Sequence, residues 1–239
     1  MIRIAVCGSN GYAWHMLQYL LKLHDLYQVE AVFELPGLQT PGKEYCSDNN
    51  IPVYEDFDQM LSELQGRCDV IYLPTPPHTH LPLATRCLQA GYHVFMEKPP
   101  VPTIQGIDEL ISIRDRNGRR LAVCFQALYN NVVQTLKKYA VKGDFGKIHN
   151  IHFTAAWHRS DAYFNRSKWA GKLQVGGEWV LDGPLHTALA HGLADALFLA
   201  SPKPQAMARP VSVQAELYHG QPIEGEDTNC LRIQTLDDA

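Results

Sequence analysis

The chain has 239 residues, a formal net charge of −4, 46% hydrophobic residues and 19% charged residues. This is the make-up of an ordinary soluble globular protein with one large or two small domains. The acidic balance, without any Lys/Arg-rich run, argues against a nucleic-acid partner, and no apolar run approaches the roughly 20 residues that span a bilayer. Six cysteines (Cys7, Cys46, Cys68, Cys87, Cys124 and Cys230) are scattered with no C-x-x-C pair, which fits reduced packing residues of a cytoplasmic protein.

The first predicted strand, Ile2 to Cys7, starts too early to leave room for a signal peptide. It runs into Gly8-Ser9-Asn10-Gly11-Tyr12-Ala13 and then an amphipathic segment with Met16, Leu17, Leu20, Leu21 and Leu23 at helical spacing. Strand, glycine-rich turn and helix are the context of a dinucleotide fingerprint, in which main-chain N–H groups and the helix N-terminus face a pyrophosphate. Asn10 and Ala13 replace the second and third glycines of that pattern. Asn tolerates a left-handed backbone, so the segment reads either as this turn or as an ordinary strand–helix connection.

A second strand, Val29 to Phe33, ends at Glu34, 26 residues after Gly8. An acid there either accepts hydrogen bonds from a ribose 2′-OH and repels a 2′-phosphate, or begins a solvated loop. A polar loop follows (37–50), then a strand at Ile51 to Tyr54, a helix from Phe57 to Leu64 and a strand from Val70 to Leu73. The pattern continues with a helix from Leu81 to Ala90, a strand from His93 to Met96, a helix from Ile104 to Arg116 and a strand from Leu121 to Phe125. Strands alternating with helices predict a doubly wound parallel sheet, a Rossmann α/β domain over residues 1–125. In such a sheet ligands bind at the carboxyl ends of the strands. There the sequence delivers Thr75 and Pro76, with His80 soon after, and Glu97-Lys98-Pro99.

Residues 126–239 read as a second, α+β domain with a mostly antiparallel sheet. Its predicted elements are a helix near Asn131 to Val141, a long strand from Lys147 to Trp157, a helix from Pro184 to Ala200 and strands near Val211 to Tyr218 and Asn229 to Gln234. Between them, Trp157, Arg159, Trp169 and Lys172 lie in a loop that suits either a hydroxylated ligand or packing. His152 and His158 lack a third partner at metal-ligand spacing, so no metal is expected. Asp182 and His186 are four apart and share a face if both are helical. Asp182 also suits an N-cap before Gly183-Pro184, and the helix dipole would keep His186 neutral. His191 is the alternative histidine.

Thr75-Pro76-x-x-x-His80, Ala84, Ala90-Gly91, His93-Val94 and Glu97-Lys98-Pro99 resemble the Gfo/Idh/MocA oxidoreductases in order and spacing. So do Gly146-Lys147-Ile148, Gly176-Gly177 and the D-x-x-x-H pair Asp182 and His186. The resemblance covers nearly the whole chain. It implies an NAD(P)-dependent enzyme that moves a hydride between a nicotinamide cofactor and a sugar, polyol or related hydroxylated substrate, with NAD favoured over NADP by Glu34. Lys98, Asp182 and His186 would be catalytic: Lys98 would stabilise alkoxide charge, His186 would act as acid/base, and Asp182 would orient it or accept a substrate hydroxyl. Gly8, Asn10, Gly11, Tyr12, Glu34, Thr75, Pro76, His80 and Glu97 would form the cofactor cleft with Lys98.

Several positions depart from the family pattern. Leu128 and Ala170 stand where arginines are frequent, Leu189 replaces a common aspartate, and the glycine after Asp182 comes one place early. These leave two further readings of the scaffold, an NAD-dependent glycoside hydrolase or a non-catalytic dinucleotide sensor. The chain is short for the family, so the expected sheet of residues 126–239 is truncated at its C-terminus. A complete sheet would predict a homo-oligomer.

Overall fold

The computed structural model describes residues 1–236. The chain folds as two compact units, one of Met1–Cys124 and the other from Phe125 onward.

The first unit is a six-stranded parallel sheet in the order β3-β2-β1-β4-β5-β6. Its strands are β1 (Ile2–Cys7), β2 (Tyr27–Phe33), β3 (Val53–Tyr54), β4 (Val70–Leu73), β5 (His93–Glu97) and β6 (Leu121–Cys124). The order reverses between β1 and β4, and the crevice outside their carboxyl ends is the topological switch point where ligands bind in this architecture. Both faces of the central strands are buried. Ala5, Cys7, Ile71, Leu73, Val94 and Met96 pack on one side with Leu88 and Leu110, and Ile4, Val6, Val32 and Tyr72 on the other with Leu17 and Cys46. Such two-sided burial is why these strands read as near-continuous apolar runs.

The helices of this unit are α1 (Gly11–Lys22), α2 (Pro41–Asp48), α3 (Phe57–Glu63), α4 (Pro77–Gln89) and α5 (Ile104–Arg116). Helix α2 replaces most of the polar loop expected at 37–50. Its start is written locally: the Thr40 side chain accepts from the Lys43 N–H, Pro41 occupies the first turn and Glu44 follows. Helix α4 begins four residues before the expected Leu81. Pro77 fits its first turn, where no N–H bond is lost.

The second unit contains α6 (Asn131–Lys142), α7 (Asp161–Phe164), α8 (Ala190–Ala200) and two antiparallel ladders, β7 (Gln174–Val175) with β8 (Glu178–Trp179), and β9 (Pro210–Tyr218) with β10 (Thr228–Thr235). The Lys137 ammonium, buried under the end of α8, donates to the carbonyls of Phe198 and Ser201 and so caps that helix.

Two expectations are corrected here. No strand forms between Lys147 and Trp157. A strand needs a neighbour's ladder, and among the described residues β9 and β10 pair only with each other. The predicted helix 184–200 is broken in two: a single π turn spans Pro184–Ala188, and α8 starts after Leu189. Among the described residues no helix is long and apolar enough to cross a membrane.

Candidate active site

The glycine-rich turn follows β1 at the switch point. Gly8 and Gly11 have φ of +104° and +50°, and a Cβ on Gly8 would stand 3.0 Å from that of Ala13. Gly8 therefore supplies the close approach for which the fingerprint uses its third glycine, and Ala13 is tolerated. The left-handed backbone expected of Asn10 is not found. Asn10 is extended, at φ −130° and ψ 160°, and its side chain accepts from the Gly11 N–H at the head of α1.

Ser9, Glu34 and Thr40 lock this turn from below, and all three are buried. Glu34 Oε2 accepts from the Ser9 N–H (2.8 Å) and the Ser9 hydroxyl (2.7 Å), while Oε1 accepts from the Leu35 N–H (2.9 Å). The Ser9 hydroxyl also lies 2.6 Å from that of Thr40. The Gly42 N–H donates to the Ser9 carbonyl at 3.1 Å. A Cβ on Gly42 would meet that oxygen at 2.6 Å, so α2 can approach the turn this closely only through a glycine. Glu34 thus holds the turn, and it stands at the end of β2. Ser9, Thr40 and Gly42 are missing from the sequence-derived site, although Thr40-Pro41 is legible as a helix start.

A second latch ties the turn to the end of β5. Glu97 is 6% exposed, and its Oε1 accepts from the phenols of Tyr72 (2.8 Å) and Tyr12 (3.2 Å). Tyr72 stacks on Phe95. Burial, then the neighbouring carboxylate, push both phenols well above their ordinary pKa, so they remain donors. Glu97 is thus held in place by the two tyrosines.

Lys98 follows, half-buried and joined to Pro99 by a cis peptide bond. The expectation that His80 lines the cleft is corrected. It is 0% exposed, with Nε2 2.8 Å from the Thr75 carbonyl and Nδ1 2.8 Å from that of Pro99. Burial holds its pKa below the ordinary value and outweighs those carbonyls, which favour the proton. His80 joins the ends of β4 and β5 from inside. Thr75 and Pro76 remain half-buried at the edge.

In the second unit, Gly176-Gly177 turns the β7–β8 hairpin. Asp182 is 4% exposed. Its Oδ2 accepts from the Gly171 N–H and its Oδ1 from the Thr187 hydroxyl, each at 2.7 Å. The carboxylate thus ties the residue after the histidine to the strap at Gly171. Leu181, just before it, sits in the left-handed region at φ 52°, a conformation that costs a residue with a side chain about 1–3 kcal/mol and tends to collect at working sites. His186 lies half-buried in the π turn, and π turns are likewise common at functional sites. The Glu226 carboxylate presses on Gly183, whose Cβ would stand 2.0 Å from Oε1. Nothing in the sequence announces this contact. His191 lies on α8, edge-on to Phe125 at 6.0 Å between ring centres.

Comparison with known proteins gives the family. Residues 2–125 match the Gfo/Idh/MocA family, described as an oxidoreductase family with an NAD-binding Rossmann fold. The chain belongs to this family. An uncharacterized oxidoreductase of Schizosaccharomyces pombe is 24% identical over 231 residues, covering 95% of this chain and 58% of its own length. The scyllo-inositol 2-dehydrogenase (NADP(+)) IolW of Bacillus subtilis is 26% identical over 210 residues, 87% of this chain and 54% of the enzyme. Among solved structures, the WlbA dehydrogenase of Chromobacterium violaceum, in complex with NADH and UDP-GlcNAcA, superposes with a TM-score of 0.85 at 24% identity, over 100% of this chain and 65% of that one. The chain thus spans under two thirds of the length of these relatives.

Proposed function

We propose that the chain carries the cofactor cleft and part of the substrate side of a dehydrogenase that oxidises a CH–OH group of a sugar, polyol or related compound, with NAD preferred to NADP. The observation that carries the reading is one crevice edge in the first unit. Four adjacent strands deliver to it a latched glycine-rich turn, a buried acid at the end of β2, Thr75-Pro76 and a lysine.

The residues fit a dinucleotide. Gly8, Asn10, Gly11 and Tyr12 would hold the pyrophosphate at the head of α1, Glu34 the adenosine ribose, and Thr75, Pro76 and Lys98 the nicotinamide end. When bound, the cofactor supplies a hydride acceptor or donor. The Lys98 ammonium stabilises the negative charge that grows on the reacting oxygen. His186 takes the hydroxyl proton during oxidation and returns it during reduction. Asp182 keeps the His186 turn in shape through Thr187. IolW uses NADP by name, so the preference for NAD rests on Glu34 alone: a 2′-phosphate would set a dianion against a buried carboxylate.

The test is a titration with NAD and with NADP, followed by the absorbance of the reduced cofactor across a panel of sugars and polyols. Net reduction of NAD with at least one substrate is expected. Bound NAD with release of a leaving group and no net reduction would replace this reading with the hydrolase. Tighter binding of NADP than of NAD would remove the role given to Glu34.

A further inference from the structure

One stretch of the second unit combines charge and aromatic surface in a way that packing does not require. From Trp157 to Trp169 the side chains interleave. The Arg159 guanidinium lies over Trp157 (5.3 Å to the ring centre) and Tyr163 (4.4 Å). The Arg166 guanidinium lies over Tyr163 (3.6 Å) and Trp169 (5.0 Å). Two like charges thus share one ring. A planar guanidinium stacks on aromatic faces without losing its edge donors.

Among the described residues no ion pair involves Arg159 or Arg166, although Asp161 lies between them in sequence. Arg166 spends one donor on the Tyr163 carbonyl, while Arg159 Nε is shielded from solvent with no acceptor. A buried donor left unmet costs more than a bond made to water. Trp157 at one end is 59% exposed. From Trp157 to Trp169 there are three cationic side chains against one acid, in a chain of net charge −4. Two residues beyond Trp169, the Gly171 N–H meets Asp182, so this ladder runs directly into the segment that holds His186.

We infer that Arg159 and Arg166 form an anion subsite, and that the substrate is a phosphate-bearing sugar whose phosphoryl oxygens bind these two guanidinium groups while a ring of the ligand packs on Trp157 or Trp169. Paired edge donors match phosphate geometry. Exposed aromatic faces suit the apolar face of a sugar or a base. This deepens the proposed function and rests on it for the reaction, but not for the binding.

The experiment is calorimetric titration of the intact chain with glucose, glucose 6-phosphate and uridine diphosphate glucose, each with and without NADH, after NADH has been titrated alone. At least one phosphorylated probe is expected to bind tenfold or more tightly than glucose, with or without NADH. Arg159→Gln and Arg166→Gln should each weaken it by roughly tenfold or more with NADH affinity unchanged, and the Lys replacements should restore part of the loss. Preference for glucose 6-phosphate would identify a sugar monophosphate, and preference for the uridine probe a nucleotide-linked sugar. Glucose binding as tightly as its phosphate would overturn the inference. So would phosphorylated probes indifferent to both Gln variants, or displaced by NADH. Failure of NADH to bind would instead strike the proposed function, and the arms without NADH would still read the subsite.

Discussion

The two units of the chain solve the positioning of loops differently. In the first, each turn at the sheet edge is fastened by buried side chains on neighbouring elements: Glu34 and Thr40 on Ser9, two tyrosines on Glu97, His80 on the ends of β4 and β5. In the second, one buried carboxylate, Asp182, gathers a strap and a π turn, while the aromatic–cationic stretch beside it is half open and β9 is exposed along its whole length. Under the function proposed above, the first unit would hold the cofactor, which is the same for every substrate, so a rigid sheet could fix its loops. The second would meet the substrate, and loops carry variation of that kind at less cost to the core.

The largest expected effect breaks the comparison at its chemical centre. Lys98→Ala should lower kcat roughly a hundred- to a thousandfold while NADH affinity, read by fluorescence titration, stays within a few-fold; equal losses in both would make Lys98 a binding residue only. Gly42→Ala should follow. Its methyl group enters the Ser9 main chain, and overpacking of this kind costs about 2 kcal/mol, seen as a lower urea midpoint together with weaker dinucleotide binding. In the second unit, Asp182→Ala strands the Gly171 N–H and leaves the Thr187 hydroxyl its bond to the Gly183 carbonyl; it should cost about 1–3 kcal/mol in thermal unfolding. A stable Asp182→Ala that merely loses turnover would make this carboxylate catalytic and not structural.

Two smaller effects sharpen the picture. Tyr12→Phe removes the longer of the two phenol bonds to Glu97, and because Tyr72 remains it should cost under about 1 kcal/mol, with kcat moving more than KM. The last concerns acid. Arg3 holds Asp69, at the entry to β4, through its side-chain and main-chain N–H groups, and pulls the carboxyl down to about 2. The folded pKa lies below the ordinary 3.8, so this contribution is whole above pH 4 and fades as pH falls toward 2. The pair is partly exposed, which limits the effect to ~2 °C in Tm between those values. An Arg3→Gln variant should lose this pH dependence.

Much of the first unit is legible because its strands carry two-sided apolar runs between capped helices: β4 and α5 fall at the residues the pattern gives. Helix α2 is hidden by its composition. Pro41-Gly42-Lys43-Glu44 reads as loop, and only Thr40 before a proline signals the cap. Its stability comes from burying Cys46 and from the Trp14–Tyr45 contact at 5.6 Å, which no local pattern contains. His80 is legible as a residue of the edge but not as a buried one, because only its Thr75 partner is local, five residues back, and its other carbonyl partners are 19 and 20 residues away. The role of Asp182 turns on Thr187, whose hydroxyl is five residues on and reaches back only because the turn is π-wound. The stretch 147–157 has strand composition, yet composition does not supply a neighbouring ladder.

The bond from the Ser9 amide to Glu34 has a consequence for how a ligand is received. Because that amide already has its acceptor, the loop need not be frozen when a dinucleotide arrives, and association is spared an ordering entropy that flexible phosphate loops incur. Hydrogen exchange at Ser9 should then follow the opening of the sheet itself, slow in the free protein and little changed on saturation.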